Sequence, residues 1–278
     1  MDFGLSGRRC IVTGASAGIG RAVAEGLAAE GASLLIVGRD EAALAEAAEA
    51  VRVAGAERAA AAGAAGDVPA VATFSADISA PGAGEAIVAA AVDLLGGVDV
   101  LVNNAGTSRA VPLGELGEAD WEEQWRLNVR GPERLMAAVV PLMAAAGWGR
   151  IVNVASSSGK RPSGTNVAYS VTKSAQLALS RAYADAYAGQ GVLVNAVAPG
   201  PVATGLWLDP GGLADQAAAA RGQQRDEALA AAAARTPIGR MAEPGEIADV
   251  VVFLCSERAA NVAGASWSVD GGAVPSFM

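Results

Sequence analysis

Short apolar runs alternate along the chain with longer alanine-rich segments in which Asp, Glu and Arg recur at helical spacing. The short runs, such as Val98-Asp99-Val100-Leu101-Val102 and Ile151-Val152-Asn153-Val154, are continuous and do not alternate with polar residues. That is the pattern of strands buried on both faces, as in a parallel sheet covered by helices. It predicts strands near 9–13, 33–37, 70–75, 98–102, 149–155, 191–197 and 266–269, and helices near 18–30, 40–54, 83–95, 118–146, 166–189 and 244–256. Asp40 with Glu41, and Glu243-Pro244-Gly245-Glu246, have the composition of helix starts. The expected class is α/β, a doubly wound, seven-stranded, mostly parallel sheet with helices on both faces.

No repeat of fixed period and no Pro- or Ser-rich linker divides the chain, so residues 1–278 are read as one domain. Two stretches break the rhythm. Residues 55–69 are nearly all Ala and Gly and predict a helix end followed by a loose surface connection. Residues 204–242 hold Pro210-Gly211-Gly212, an alanine-rich run and Thr236-Pro237. Ligands of doubly wound sheets bind beyond the carboxyl ends of the strands, so this insertion, around 204–240, is placed to act as a substrate-binding lid.

Composition removes several functions. The 278 residues include no histidine, which excludes Ser-His-Asp and Cys-His hydrolases, the usual zinc sites and a histidine general base; no metal is expected. A net charge of −9 argues against nucleic acid, whose phosphates need a basic footprint. Two cysteines, Cys10 and Cys255, suit a reducing compartment, and Met1-Asp2-Phe3-Gly4-Leu5 does not read as an export signal, so a cytoplasmic protein is expected. The longest uncharged stretch, 186–208, contains Pro199 and Pro201 and is not a membrane span. Among basic residues arginine dominates, and Lys160 and Lys173 are the two lysines.

Gly14-Ala15-Ser16-Ala17-Gly18-Ile19-Gly20 joins the first strand to the first helix. Glycines there allow a sharp turn and close approach of a ligand, while the helix N-terminus offers free N–H groups to a phosphate. The same residues fit the nucleophile elbow G-x-S-x-G, and Ser170-Val171-Thr172-Lys173 fits S-x-x-K. The first lacks a histidine base and the second lacks any K-T-G element, so neither Ser16 nor Ser170 reads as a nucleophile.

Tyr169 and Lys173 stand four apart in a predicted helix and share one face. A free phenol, with a pKa near 10, is a poor base at neutral pH; a neighbouring ammonium favours the phenolate and makes it usable. By spacing alone, a packed tyrosine beside a solvated lysine is the simpler reading. The surroundings point the other way. Thr13-Gly14-Ala15-Ser16-Ala17-Gly18-Ile19-Gly20, Asn103-Asn104-Ala105-Gly106, Asn128 in Leu127-Asn128-Val129, Ser156 thirteen positions before Tyr169, Pro199-Gly200 with Thr204, and Asp270-Gly271-Gly272 occur in that order. Together they resemble the classical short-chain dehydrogenase/reductase family over nearly the whole chain.

The resemblance implies a Rossmann fold and reversible hydride transfer between a nicotinamide cofactor and a carbonyl or secondary alcohol. It casts Tyr169 as general acid or base, Ser156 as the donor holding the carbonyl oxygen, Lys173 as the group that lowers the phenol's pKa and holds the ribose, and Asn128 as the holder of a proton-path water. Gly14, Ser16, Gly18, Ile19, Gly20, Asn104, Ala105, Gly106, Pro199, Gly200, Val202 and Thr204 would line the cofactor, with Asp77 and Ile78 at the adenine. At the end of the second strand Gly38 stands where an NAD enzyme has an acid, and Arg39 follows. An arginine suits a 2′-phosphate, so NADP(H) is preferred, with NAD(H) the alternative because Asp40 is near.

The leading expectation is an NADP(H)-dependent carbonyl reductase similar to 3-oxoacyl thioester reductases. The alternatives are an NAD(P)-dependent secondary alcohol, sugar or steroid dehydrogenase, and a cofactor-binding regulator or scaffold. Substrate identity is expected in residues 107–115, 157–168 and 200–240, with Val202 and Gly205-Leu206-Trp207-Leu208 as an apolar wall and Arg109, Lys160 and Arg161 as rim charges. Trp121 and Trp125 are expected to pack in the core or between helices. The family also implies a homo-oligomer, a tetramer or dimer, built through the long helices.

Overall fold

The computed structural model describes residues 2–61 and 68–275. Its sheet has seven strands, all parallel, in the order β3-β2-β1-β4-β5-β6-β7. These are β1 (Arg9–Thr13), β2 (Ser33–Gly38), β3 (Val71–Ser75), β4 (Val100–Asn103), β5 (Gly149–Val154), β6 (Val192–Pro199) and β7 (Ser266–Val269). The continuous apolar runs have a simple cause: successive residues of a strand face opposite sides, and both sides are covered. Val12, Leu34, Ile36 and Val102 pack in one core cluster with α1 (Gly18–Ala29) and α11 (Pro244–Cys255). Ile11, Leu35, Val37 and Leu101 pack in the other with α3 (Ala83–Leu95) and α5 (Gly131–Ala146).

The strand order reverses between β1 and β4, since the chain leaves β3 at one edge and returns beside β1. A crevice opens at such a reversal, beyond the carboxyl ends of the two strands.

Two elements differ from the sequence reading. The helix α2 (Glu41–Ala61) runs well past residue 54; Ala43 N donates to Asp40 Oδ1 at 3.0 Å, so Asp40 caps it as expected. The rest of the expected loose connection, residues 62–67, lies outside the described residues. The single helix expected over 118–146 is three pieces: α4 (Glu118–Trp125), a π-helical turn (Arg126–Arg130) and α5, with Pro132 in the first turn of α5. The extra residue of the π turn presents Asn128 and Val129 together to the interior. Trp125, expected in packing, is 42% exposed.

After β5 come a single helical turn, α6 (Ser157–Lys160), and the long α7 (Val167–Tyr187). The insertion after β6 contains α8 (Gly205–Leu208), α9 (Leu213–Arg221) and α10 (Arg225–Ala234). The last two pack as a hairpin through Ala214, Ala218, Ala228 and Ala232, all buried. Gln216 Oε1 accepts from Ala110 N at 2.8 Å, tying α9 to the loop after β4. Among the described residues no helix is long and apolar enough to cross a membrane.

Candidate active site

At the crevice, Thr13 ends β1 fully buried. Its Oγ1 donates to Val102 O and accepts from Asn104 N and Ala105 N, at 3.0 and 3.1 Å. Asn104 answers from β4's side: its Nδ2 donates to the carbonyls of Thr13 and Gly14, at 3.0 and 3.1 Å. Gly14 and Gly18 both have positive φ, +63° and +55°, which glycine adopts without strain. A Cβ on Gly14 would lie 2.8 Å from Ala105 Cα, and one on Gly20 would overlap the Gly14 carbonyl. At the start of α1, Ala17 supplies no side-chain cap and the first turn holds no acid. Its N–H groups are therefore free to meet an anion, and the loop is a cradle that a pyrophosphate fits.

Opposite this cradle, Ser156 follows β5 and its Oγ accepts from Ser158 N at 3.1 Å. Tyr169 and Lys173 project from the same face of α7, with the Lys173 Nζ 5.7 Å from the Tyr169 ring centre. The ammonium is 3% exposed and donates to Val154 O at 2.8 Å and Gln176 Oε1 at 2.9 Å. Burial lowers it to about 7. Burial also raises the Tyr169 phenol above 10, while a hydrogen bond with the Ser156 side chain pulls it down. In this arrangement the two shifts favour an uncharged pair, the opposite of the lowered phenol expected from spacing.

Asn128 is fully buried behind the cavity. Its Nδ2 donates to Gln124 Oε1 at 2.8 Å and to Thr172 Oγ1 at 3.3 Å, and its Oδ1 has no protein partner. A Cβ on Gly106 would stand 3.0 Å from that oxygen and 3.5 Å from Lys173 Nζ. Glycine there leaves the space between the two groups open.

A cavity of about 910 Å³ brings together most of the residues singled out in the sequence. Gly14, Gly18, Ile19, Asn104, Ala105 and Gly106 form one wall; Pro199, Gly200, Val202 and Thr204 form another; Ser156, Tyr169 and Lys173 lie between. Six lie elsewhere. Gly20 packs under Gly14, and Asn128 sits behind Gly106. Ser16 faces Gly38, its Oγ 3.5 Å from where a Gly38 Cβ would be. Arg39 is exposed at the end of β2, and its carbonyl accepts from Ser75 Oγ. Asp77 is held below the ordinary range: burial opposes this, but bonds from Ser79 and the charges of Arg39 and Arg126 prevail. Ile78 is buried, with its side chain 2.9 Å from where a Gly131 Cβ would stand, so that side chain belongs to the core.

The decoys find no role here. Ser170 is fully buried, donates to Asn166 O at 3.0 Å and accepts from Ser163 N. Lys160, one of the two lysines, donates to Ser266 O at 2.7 Å and Ser268 Oγ at 2.9 Å, fastening α6 to the edge strand β7. Arg161 lines the cavity, while Arg109 pairs with Asp120 outside it. Sequence reasoning missed Thr13 as a hub, Gln216 and Gln176. For Gln176 a signal existed: an amide three residues beyond Lys173 on the same helical face.

A doubly wound parallel sheet with a glycine cradle at its reversal point and a Ser, Tyr and Lys cluster across the crevice defines a nucleotide-linked oxidoreductase class. Residues 14–274 match the family model described as enoyl-(acyl carrier protein) reductase. D-threitol dehydrogenase of Mycolicibacterium smegmatis is 36% identical over 98% of this chain and 94% of its own. A 3-oxoacyl-[acyl-carrier-protein] reductase of Vibrio cholerae is 33% identical over 96% of this chain and 98% of its own. Among solved structures, L-sorbose reductase from Gluconobacter frateurii, complexed with NADPH and L-sorbose, has a TM-score of 0.89 at 34% identity and covers 100% of both chains. The chain belongs to the short-chain dehydrogenase/reductase family and is an oxidoreductase acting on CH–OH groups.

Proposed function

We propose that this protein interconverts a small polyhydroxylated ketone and its secondary alcohol with NADP(H). The observation that carries the substrate class is the cavity wall around Ser156 and Tyr169, where Ser108, Ser158, Ser163 and Thr165 bring hydroxyl groups. A sugar-like substrate satisfies such groups, whereas an alkyl chain would leave them desolvated. The likeness to L-sorbose reductase and D-threitol dehydrogenase supports the same class.

The cofactor supplies or accepts the hydride when bound. Gly14, Gly18 and Ile19 with the start of α1 would hold its pyrophosphate, Arg39 its 2′-phosphate and Lys173 its nicotinamide ribose. Ser156 donates a hydrogen bond to the substrate oxygen and fixes its direction, a donor placed where negative charge develops. Tyr169 gives its proton to that oxygen in reduction and takes it back in oxidation. A phenol kept protonated by burial suits reduction at neutral pH. The insertion of α8, α9 and α10 acts as a lid on one domain, fastened at Gln216 and Ala110.

A second reading, reduction of a 3-oxoacyl thioester, is favoured by the apolar wall of Val202, Leu206, Trp207 and Leu213 and by the Vibrio relative. Comparing kcat/KM for a panel of ketoses and polyols with that for acetoacetyl thioesters separates the two. Tyr169→Phe should lower turnover about 10²- to 10⁴-fold while NADPH still binds. If the wild type binds NADPH but reduces nothing in either panel, the reading as a cofactor-binding scaffold gains ground. Exposed Leu142 on α5 and Val171 on α7 support the expected homo-oligomer.

A further inference from the structure

Gln176 is 1% exposed on α7, one turn beyond Lys173. The two halves of its amide have different fates. Its Oε1 accepts from Lys173 Nζ at 2.9 Å, while its Nε2 is buried without a protein partner among the described residues. The orientation is forced, because turning the amide over would set N–H against N–H. A buried orphan donor costs stability, and an apolar side chain of similar volume would avoid it. What the glutamine contributes is therefore its oxygen.

That oxygen is one of two acceptors on the ammonium. A lysine has three N–H donors; Val154 O and Gln176 Oε1 take two, which fixes the direction of the third. Most charged groups on the elements packed against α7 are engaged elsewhere: Glu122 lies by Arg126, Arg134 donates to the carbonyls of Ser79 and Ala80, and Glu118 is exposed. Asp120 of α4 pairs with Arg109, Arg130 of the π turn pairs with Glu133 of α5, and Lys160 of α6 is bonded to β7. Arg150 of β5 donates to Gly149 O and Ser256 O. Glu123 lines a small pocket together with Gln124 and Tyr169. Along β6 there is no charged residue.

We propose that Gln176 is a positioning residue for the reaction: its carbonyl oxygen orients the Lys173 nitrogen beside Tyr169 and leaves one N–H aimed at the nicotinamide ribose. This rests on the roles given above to Tyr169 and Lys173. An acceptor on the nitrogen helps the buried lysine keep its proton and its direction. Without it the nitrogen loses its proton at lower pH and is no longer held toward the ribose.

The test is an NMR titration of the lysine side chains of the cofactor-free protein. Comparison with Lys173→Met assigns the Lys173 signal, since Lys160 is the other lysine of the chain. In Gln176→Leu the Lys173 midpoint should move down by about one pH unit, the size expected for losing one hydrogen bond to a charged group. Its melting temperature should not fall, because the orphan donor is gone, and NADPH should bind severalfold more weakly. Gln176→Met, unbranched and of similar length, carries the same expectations if the leucine variant does not fold. An unchanged midpoint in a folded variant overturns the inference, and so does a lowered melting temperature with the wild-type midpoint. Neither result touches the proposed role of Tyr169, which fails separately if Tyr169→Phe retains full turnover.

Discussion

Asn104 clamps Thr13: its Nδ2 bonds the carbonyls of Thr13 and Gly14 while its own N–H bonds Thr13 Oγ1, so the ends of β1 and β4 are held as one piece. The glycine cradle is thus shaped from the neighbouring strand as well as by its own sequence. Asn104→Ala removes two donors from the loop and should weaken NADPH binding by about tenfold, the equivalent of roughly 1.4 kcal/mol for bonds of this kind. Calorimetry with NADPH checks this, and unchanged affinity would refute the clamp.

Gly20 and Gly114 make a matched pair of tests. A methyl on Gly20 would collide with the Gly14 carbonyl and the Asn104 amide, whereas one on Gly114 meets nothing within 4 Å. Gly20→Ala should abolish NADPH binding or folding. Gly114→Ala should stay within about 0.5 kcal/mol of wild type in denaturant unfolding.

Arg39 is exposed at the end of β2, with no ion pair within 4 Å among the described residues, and Gly38 before it packs against Leu44 and Ser16. Arg39→Ala should raise the KM for NADPH at least about tenfold, as expected for loss of a charge-assisted contact, and leave that for NADH nearly unchanged. Equal effects on both cofactors, or none, would remove Arg39 from the 2′-phosphate site.

Lys173 couples stability to pH. Burial lowers it from 10.5 to about 7 in the fold, so between those values the unfolded chain binds a proton that the folded chain does not. Stability from this group therefore rises with pH across the window, and below about 7 the full cost of burying the charge is present. Without cofactor, Lys173→Met should melt above wild type at pH 6, with the gap closing toward pH 10. A gap constant with pH would show that Lys173 keeps its proton throughout.

What was legible in the sequence had a local cause. Buried strands declare themselves as continuous apolar runs, and the Tyr169 and Lys173 spacing fixes a shared face in any helix. The π turn was not legible, because a one-residue excess leaves the helical pattern of 118–146 intact and is decided by the need to bury Asn128 against Gln124 and Thr172. The length of α2 was hidden by composition. Ala and Gly around residue 55 read as a loop, yet Gly55 sits inside the helix, where a Cβ would press on Pro69 at 2.8 Å. Trp125 shows the same limit from the other side, since an aromatic residue suggests a core and nothing in four-residue spacing says which way it faces.

Beneath the site runs a file of buried amides: Asn103 Nδ2 donates to Asn153 Oδ1, Asn153 Nδ2 to Ser180 Oγ, and Ser180 Oγ to Gln176 O. It ties β4 and β5 to the middle of α7. Separating any one of them exposes donors and acceptors on the other two, so partial opening along this seam is disfavoured. Amide protons of β4, β5 and the centre of α7 should then exchange with solvent as one slow cooperative unit. The insertion of α9 and α10, whose helices meet through alanine, lies outside this unit and should exchange faster.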